Sequence, residues 1–201
     1  RQEWTGQVGG CGEGKTTGAT KTFVSKAYLT DATQKKFEEA FADNTRKLGV
    51  SEDIQRCLEI AGTASLVNRL PLDPDNVIIN QISGVSLSGN YYLYNLRTGA
   101  TKLLFKSGGR STPGLFNPRD GEVLTRTQLE PIGSGEYEQR ILIRNAKTGE
   151  FEEHGQLTTK LSGRNTVDIV GIDETSGKFY VLTDQWSDRV QAWMYDPVEM
   201  K

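Results

Sequence analysis

The chain has 201 residues, enough for one large domain or two small ones. Its 35% hydrophobic and 25% charged content suits a folded chain rather than a disordered one. The formal net charge of -2 gives no electrostatic case for a nucleic-acid or anionic-membrane partner.

No apolar run approaches the roughly 18 to 20 residues that a membrane span needs. No signal sequence is legible at the start, and the first residue is Arg1 rather than Met. The expectation is a processed chain from which any signal peptide has been removed.

The first motif is Gly9–Thr16, GGCGEGKT, which fits G-x-x-x-x-G-K-[ST] in full. In that pattern Gly9, Gly14, Lys15 and Thr16 would cradle nucleotide phosphates through backbone N–H groups, a lysine and a hydroxyl. Val167–Asp173, VDIVGID, supplies a carboxylate, Asp173, of the kind that stands behind a metal in such sites. The context opposes the reading. The preceding RQEWTGQV is short and polar, and the following KTTGATKT is poor in helix formers, whereas a phosphate loop joins a buried strand to a helix. A nucleotide-binding protein is therefore the second alternative, and a flexible Gly/Thr loop the simpler one.

Residues 1–66 read as a small α+β module. Thr22–Leu29 (TFVSKAYL) alternates as a strand does. Asp31 with Gln34 three residues on forms a capping box, followed by Phe37, Ala40, Phe41 and Leu48 at helical spacing up to Gly49. A second short helix is expected from Ser51, with Ile54, Cys57, Leu58 and Ala61 on its inner face and Gly62 at its end.

Cysteine usage is sparse. The two cysteines, Cys11 and Cys57, and the single histidine, His154, cannot close a zinc site without carboxylate help. A Cys11–Cys57 disulfide stapling the glycine-rich segment onto the second helix is the favoured reading, and two free thiols are the alternative. The bond would imply a periplasmic or extracellular location.

Residues 67–201 follow a different grammar. Short Val/Ile/Tyr/Leu/Phe runs alternate with Gly, Pro, Asn and Asp clusters, as antiparallel strands and turns do. Tyr91–Phe105 and Arg140–Glu153 both contain Asn-x-x-Thr-Gly, at Asn95–Gly99 and Asn145–Gly149. Gln191–Lys201 reads as a third, degenerate copy with Asp196 in place of the asparagine. Each copy follows a turn-and-strand unit: DPDNVIIN from Asp73, NPRDGEVLTR from Asn117, DETSGKFYVLT from Asp173. The fold expected is all-β, antiparallel β-meander repeats of propeller type, about three in number and too few to close a ring.

Those segments, with Leu70–Ile79 (LPLDPDNVII), resemble the β-propeller of secreted bacterial S9-family (prolyl oligopeptidase) serine peptidases. The resemblance covers about residues 67–201. It implies a propeller that stands over an α/β-hydrolase domain and restricts access to its serine.

The catalytic part of that family is absent from the sequence. Gly84–Gly89 reads GVSLSG, one residue out of register for a nucleophile elbow. His154 lies in a polar EEHG string, expected to be solvated, outside any triad order.

The expectation is thus a non-catalytic, extracytoplasmic module that gates substrate or mediates protein interaction. A structural or adhesive exported protein assembling through sheet edges is the first alternative. No catalytic residue, metal or cofactor is expected. The expected partner is a protein or peptide, another copy of the chain, or the remainder of a propeller and hydrolase. Of the smaller constellations, Tyr91, Tyr92 and Tyr94 should split between two strand faces, Trp186 and Trp193 should pack at a core or edge, and the acid pairs Glu152–Glu153 and Asp173–Glu174 should be solvated.

Overall fold

The computed structural model describes residues 2–4, 23–25, 28–40, 64–82, 89–108 and 110–201. Among these residues the fold is antiparallel β-sheet throughout, and its helix is a single 3-10 turn, Gly155–Leu157. Among the described residues no sheet closes on itself as a barrel. The chain divides into two units, residues 1–106 and 107–201. The boundary expected at 66/67 falls within a strand, Ala64–Asn68.

In the first unit β1 (Gln2–Trp4) pairs with β2 (Phe23–Ser25), and β3 (Tyr28–Thr30) pairs with β4 (Phe37–Glu39). The β3–β4 hairpin corrects the expected helix at its start. Asp31 Oδ1 accepts from the backbone N–H of Lys35 at 3.0 Å and Lys36 at 3.4 Å, and Thr33 Oγ1 donates to Asp31 Oδ2 at 2.8 Å. The carboxylate thus closes a turn in place of starting a helix, the alternative that short polar side chains always offer the backbone. Gln34 sits at φ 55, outside the right-handed helical region, and Phe37 is 63% exposed, so no apolar helix face forms here. The rest of that run, to Leu48, and the helix expected from Ser51 lie outside the described residues.

The larger sheet of the first unit runs β5 (Ala64–Asn68), β6 (Asn76–Ile82), β7 (Gly89–Asn95), β8 (Thr101–Lys106), each pairing with the next. Alternation sorts its tyrosines by face. Tyr92 and Tyr94 pack with buried Ala64, Val77 and Ile79. Tyr91, one residue out of phase, meets its cross-strand partner Phe105 edge-on at 6.3 Å.

The second unit holds two sheets. One has the order β12 (Phe151–Glu153), β11 (Glu136–Arg144), β10 (Thr125–Gly133), β9 (Ser111–Pro113), with β13 (Thr159–Lys160) also on β11. The other runs β14 (Val167–Asp173), β15 (Lys178–Thr183), β16 (Gln191–Tyr195). They share one core. Ile141 and Ile143 from β11, Val167 from β14, Phe179 and Val181 from β15, and Tyr195 from β16 cluster with Leu157. β11 and β15 each offer residues two apart to that cluster, which is the period of a half-buried strand.

One turn recurs through both units. At Asn95 the side-chain oxygen accepts from the N–H of Arg97 (3.1 Å) and Thr98 (2.9 Å), and the backbone closes from Gly99 N–H to the Asn95 carbonyl at 2.9 Å. Asn145 repeats this with Lys147, Thr148 and Gly149. Asn117 does so with Arg119 and Gly121, and Asp173 with Thr175 and Gly177. Gly99, Gly121, Gly149 and Gly177 all hold φ between 70 and 76, the left-handed region where a glycine carries no Cβ penalty. Asp196 closes the same kind of turn on Val198 and Glu199, with Met200 at φ 54 in the glycine's place.

Candidate functional site

The chemistry-bearing side chains of the second unit gather around the end of β16. Trp186, on the connection from β15 to β16, stacks on Tyr195 with an interplanar angle of 10° and a centroid distance of 6.4 Å. It meets Trp193 at 87° and 5.6 Å. Both geometries suit the aromatic quadrupole. Trp186 is 38% exposed and Tyr195 fully buried, so the trio runs from the surface into the core. Three polar atoms near it are buried without a protein partner: Trp193 Nε1, Gln185 Oε1 and Thr158 Oγ1. Gln185 is tied to the Thr158 carbonyl through its Nε2 at 3.0 Å. The site therefore offers the partly exposed π-face of Trp186, while the three polar atoms are buried.

His154 stands beneath the trio. It is 2% exposed, which corrects the expectation of a solvated turn residue. Its Nδ1 lies 2.9 Å from the Tyr195 hydroxyl, and the two rings meet edge-on at 77°. Its backbone is fixed on both sides: its N–H donates to the Ile141 carbonyl and its carbonyl accepts from Leu157. Burial pushes the imidazole below its ordinary pKa, against a smaller opposite pull from Glu152. Burial, reinforced by the charge of Asp196, pushes the Tyr195 phenol up. A neutral imidazole and a protonated phenol leave one hydrogen bond between them, whichever tautomer the ring adopts. This pair pins β16 onto the His154 segment. It contains no acid–base couple of a triad.

The paired acids are occupied. Asp173 caps its turn through the Ser176 hydroxyl and the Thr175 N–H, and those bonds hold its carboxyl below the usual range. Its strand β14 is antiparallel to β15, not the parallel strand of a doubly wound nucleotide site. Glu174 takes both ends of the Arg119 guanidinium, at 3.1 Å and 2.6 Å, and this pairing raises the arginine's pKa. Glu152 accepts from Asn145 Nδ2 at 2.7 Å, and Glu153 faces Arg140 at 3.3 Å. Asp196 Oδ2 meets Lys178 Nζ at 3.2 Å while its Oδ1 caps the turn, and the carboxyl is held low, chiefly by the N–H groups of Glu199 and Val198. These acids are not buried, and they also pair with neighbours or cap turns.

Cys11 and Cys57, together with Gly9, Gly14, Lys15 and Thr16, lie outside the described residues. Among the described residues no three His, Cys, Asp or Glu side chains are grouped so as to hold a metal ion. No helix among them is long and apolar enough to cross a membrane. The sequence signalled Trp186 and Trp193 as packed aromatics, and they are. It gave no sign that His154 and Tyr195 meet, since only the sheet-on-sheet packing joins positions so far apart. Compared with known proteins, the chain matches no family model, no curated protein and no solved structure.

Proposed function

We propose that this chain is a non-catalytic, extracytoplasmic module of β-propeller type, of S9 peptidase-like parentage, which gates substrate or holds a protein or peptide partner. The observation that carries this reading is the reuse of one hairpin. Asn95, Asn145 and Asp196 each end the third strand of a sheet with the same side-chain-capped turn. Repeated small sheets, stacked face to face as the two sheets of the second unit are, form the element from which propellers are assembled. The aromatic cluster at β16 adds a surface suited to binding rather than turnover.

The test uses the immobilised 201-residue chain, a mixture of tryptic peptides and a set of generic fluorogenic peptide substrates. Retention of peptides without cleavage is the expected outcome. Hydrolysis that copurifies with the chain would overturn the non-catalytic role, and absence of any retention would overturn the binding role.

A second reading, assembly through sheet edges, is favoured by β16, which pairs with β15 alone among the described strands. Light scattering separates the two. Particle mass that grows with chain concentration favours edge assembly, and a constant mass favours the binding module.

A further inference from the structure

Alternation defines a second face on the sheet of β9 to β12. Ile141 and Ile143 of β11 enter the core, so Arg140, Leu142 and Arg144 lie on the opposite side. Cross-strand partners share a face, which adds Arg126 opposite Leu142, Gln128 opposite Arg140, and Phe151 opposite Arg144. Three arginines thus stand on one side of one sheet.

Two of them are provided with acceptors. Arg140 meets Glu153 at 3.3 Å and Glu138 at 3.4 Å through its two terminal nitrogens. Arg144 donates from Nε to the Val123 carbonyl at 2.9 Å and from Nη1 to the Gly149 carbonyl at 2.8 Å. Glu122 stands 3.5 Å from that Nη1. Arg126 differs. Among the described residues it has no hydrogen bond and no ion pair, and its Nε is buried without an acceptor. Its contact is the ring of Phe151, whose centroid lies 4.8 Å from the guanidinium carbon. The Glu130 carboxylate, on the same strand, accepts from Gln128 Nε2.

Arg144 sits at the same 4.8 Å from the Phe151 centroid. Less than one screening length at 0.1 M salt, about 10 Å, therefore separates the two guanidinium carbons. Their repulsion falls when an anion joins them. A charged donor buried without an acceptor is also costly, and a carboxylate has the two oxygens that a guanidinium fork engages in parallel.

We propose that Arg126, together with Arg144 beside Phe151, binds one carboxylate of a peptide or protein partner. The site rests on the binding role proposed above and names the chemistry of its partner. Arg126 offers its whole fork, and Arg144 offers Nη2, to which no acceptor is bound. Phe151 and Leu142, both half-buried on this face, receive the apolar side chains that flank the acid. Arg140, with its two glutamates, is the same pairing completed within the sheet.

The probe is acetyl-Leu-Glu-Leu-amide, titrated into the isotope-labelled full chain and followed at the arginine Nε–Hε resonances. Arg126→Lys and Arg144→Lys assign the two signals by their disappearance. Saturable shifts of both are expected, weakening as salt is raised. An Arg126 signal that stays put throughout the titration would overturn the proposal. Acetyl-Leu-Gln-Leu-amide has the same shape without the charge and should move neither signal. Equal shifts from both peptides would overturn the proposal by assigning the contact to the apolar side chains. Acetyl-Leu-Gln-Leu with a free terminal carboxylate separates the sources: shifts from it point to a chain terminus, and shifts from the Glu peptide to an acidic side chain.

Arg126→Lys keeps the charge but loses the fork, and should weaken binding about tenfold. Arg126→Gln should abolish it, and Arg164→Gln, at an exposed arginine, should leave it unchanged. An equal loss from the Arg164 and Arg126 variants would overturn the proposal, since net charge alone would then explain the binding. Urea midpoints establish that each variant is folded, and the lysine variant carries the test should the glutamine variant fail to fold. Peptide retention by the immobilised chain that survives Arg126→Gln undiminished sinks this site and leaves the broader binding role intact. Absence of all retention by the native chain sinks both.

Discussion

At the scale of the residue, the His154–Tyr195 pair is the feature with the largest single consequence. The imidazole is buried and its pKa is lowered, chiefly by desolvation. An unfolded chain takes up this proton near pH 6.5, its ordinary value, and the folded chain resists it. Stability is therefore full above about pH 6.5 and falls as the pH drops below it, because the unfolded state then binds more protons. Urea midpoints between pH 7.5 and pH 5 should decline for the native chain, and His154→Gln should flatten that slope even if its midpoint is lower throughout. An equally steep slope in the variant would show that other groups set it. Tyr195→Phe removes the hydroxyl and leaves buried Nδ1 without its partner, an expected loss of about 1–3 kcal/mol measurable by urea unfolding at pH 7.5. None of this was legible in EEHG. The neighbours of His154 in sequence include two glutamates, whereas Tyr195 packs against it from the other sheet.

At the scale of the element, the turns divide into those the sequence discloses and those it disguises. Asn145–Gly149 is disclosed because its chemistry is local: the side chain bonds its own backbone two and three residues on, and the glycine adopts φ 76. Gly149→Ala should cost about 1 kcal/mol by placing a Cβ in the left-handed region. Gly155, which has open space around its Cβ direction and no positive φ, is the matched control and should tolerate alanine. Comparing thermal midpoints of the two variants checks this, and equal shifts would contradict it. Asp31 shows the disguise. An aspartate followed by helical spacing at Phe37 and Ala40 satisfies the start signal of a helix, but the same carboxylate closes a hairpin equally well. Local pattern leaves the two endings open. Pairing of Phe37–Glu39 with Tyr28–Thr30 decides between them.

At the scale of the whole molecule, each unit is held by the burial of alternating strand faces, and within the second unit the two sheets meet over one cluster. The alternation was readable from the chain, whereas the stacking partner of each face was not, because nothing local encodes which sheet will cover it. Two substitutions in the second unit separate the forces involved. Ile143, on β11, is 1% exposed and lies in the shared core, so Ile143→Ala should cost about 2–5 kcal/mol through lost burial and the cavity left behind. Hydrogen exchange of β11 and β14–β16 should quicken together, since all of them meet at that cluster.

Arg119 and Glu174 also join the two sheets, linking the Asn117 turn to the Asp173 turn, and their geometry is close to ideal for a bidentate pair. The pair is largely exposed, however, so solvent and salt screen it. Glu174→Gln should therefore shift the unfolding midpoint far less than Ile143→Ala, and the residual difference from the native chain should vanish in about 1 M salt, where the screening length falls to about 3 Å. A loss comparable to that of Ile143→Ala, unchanged by salt, would mean that the turns rather than the apolar cluster hold the sheets together.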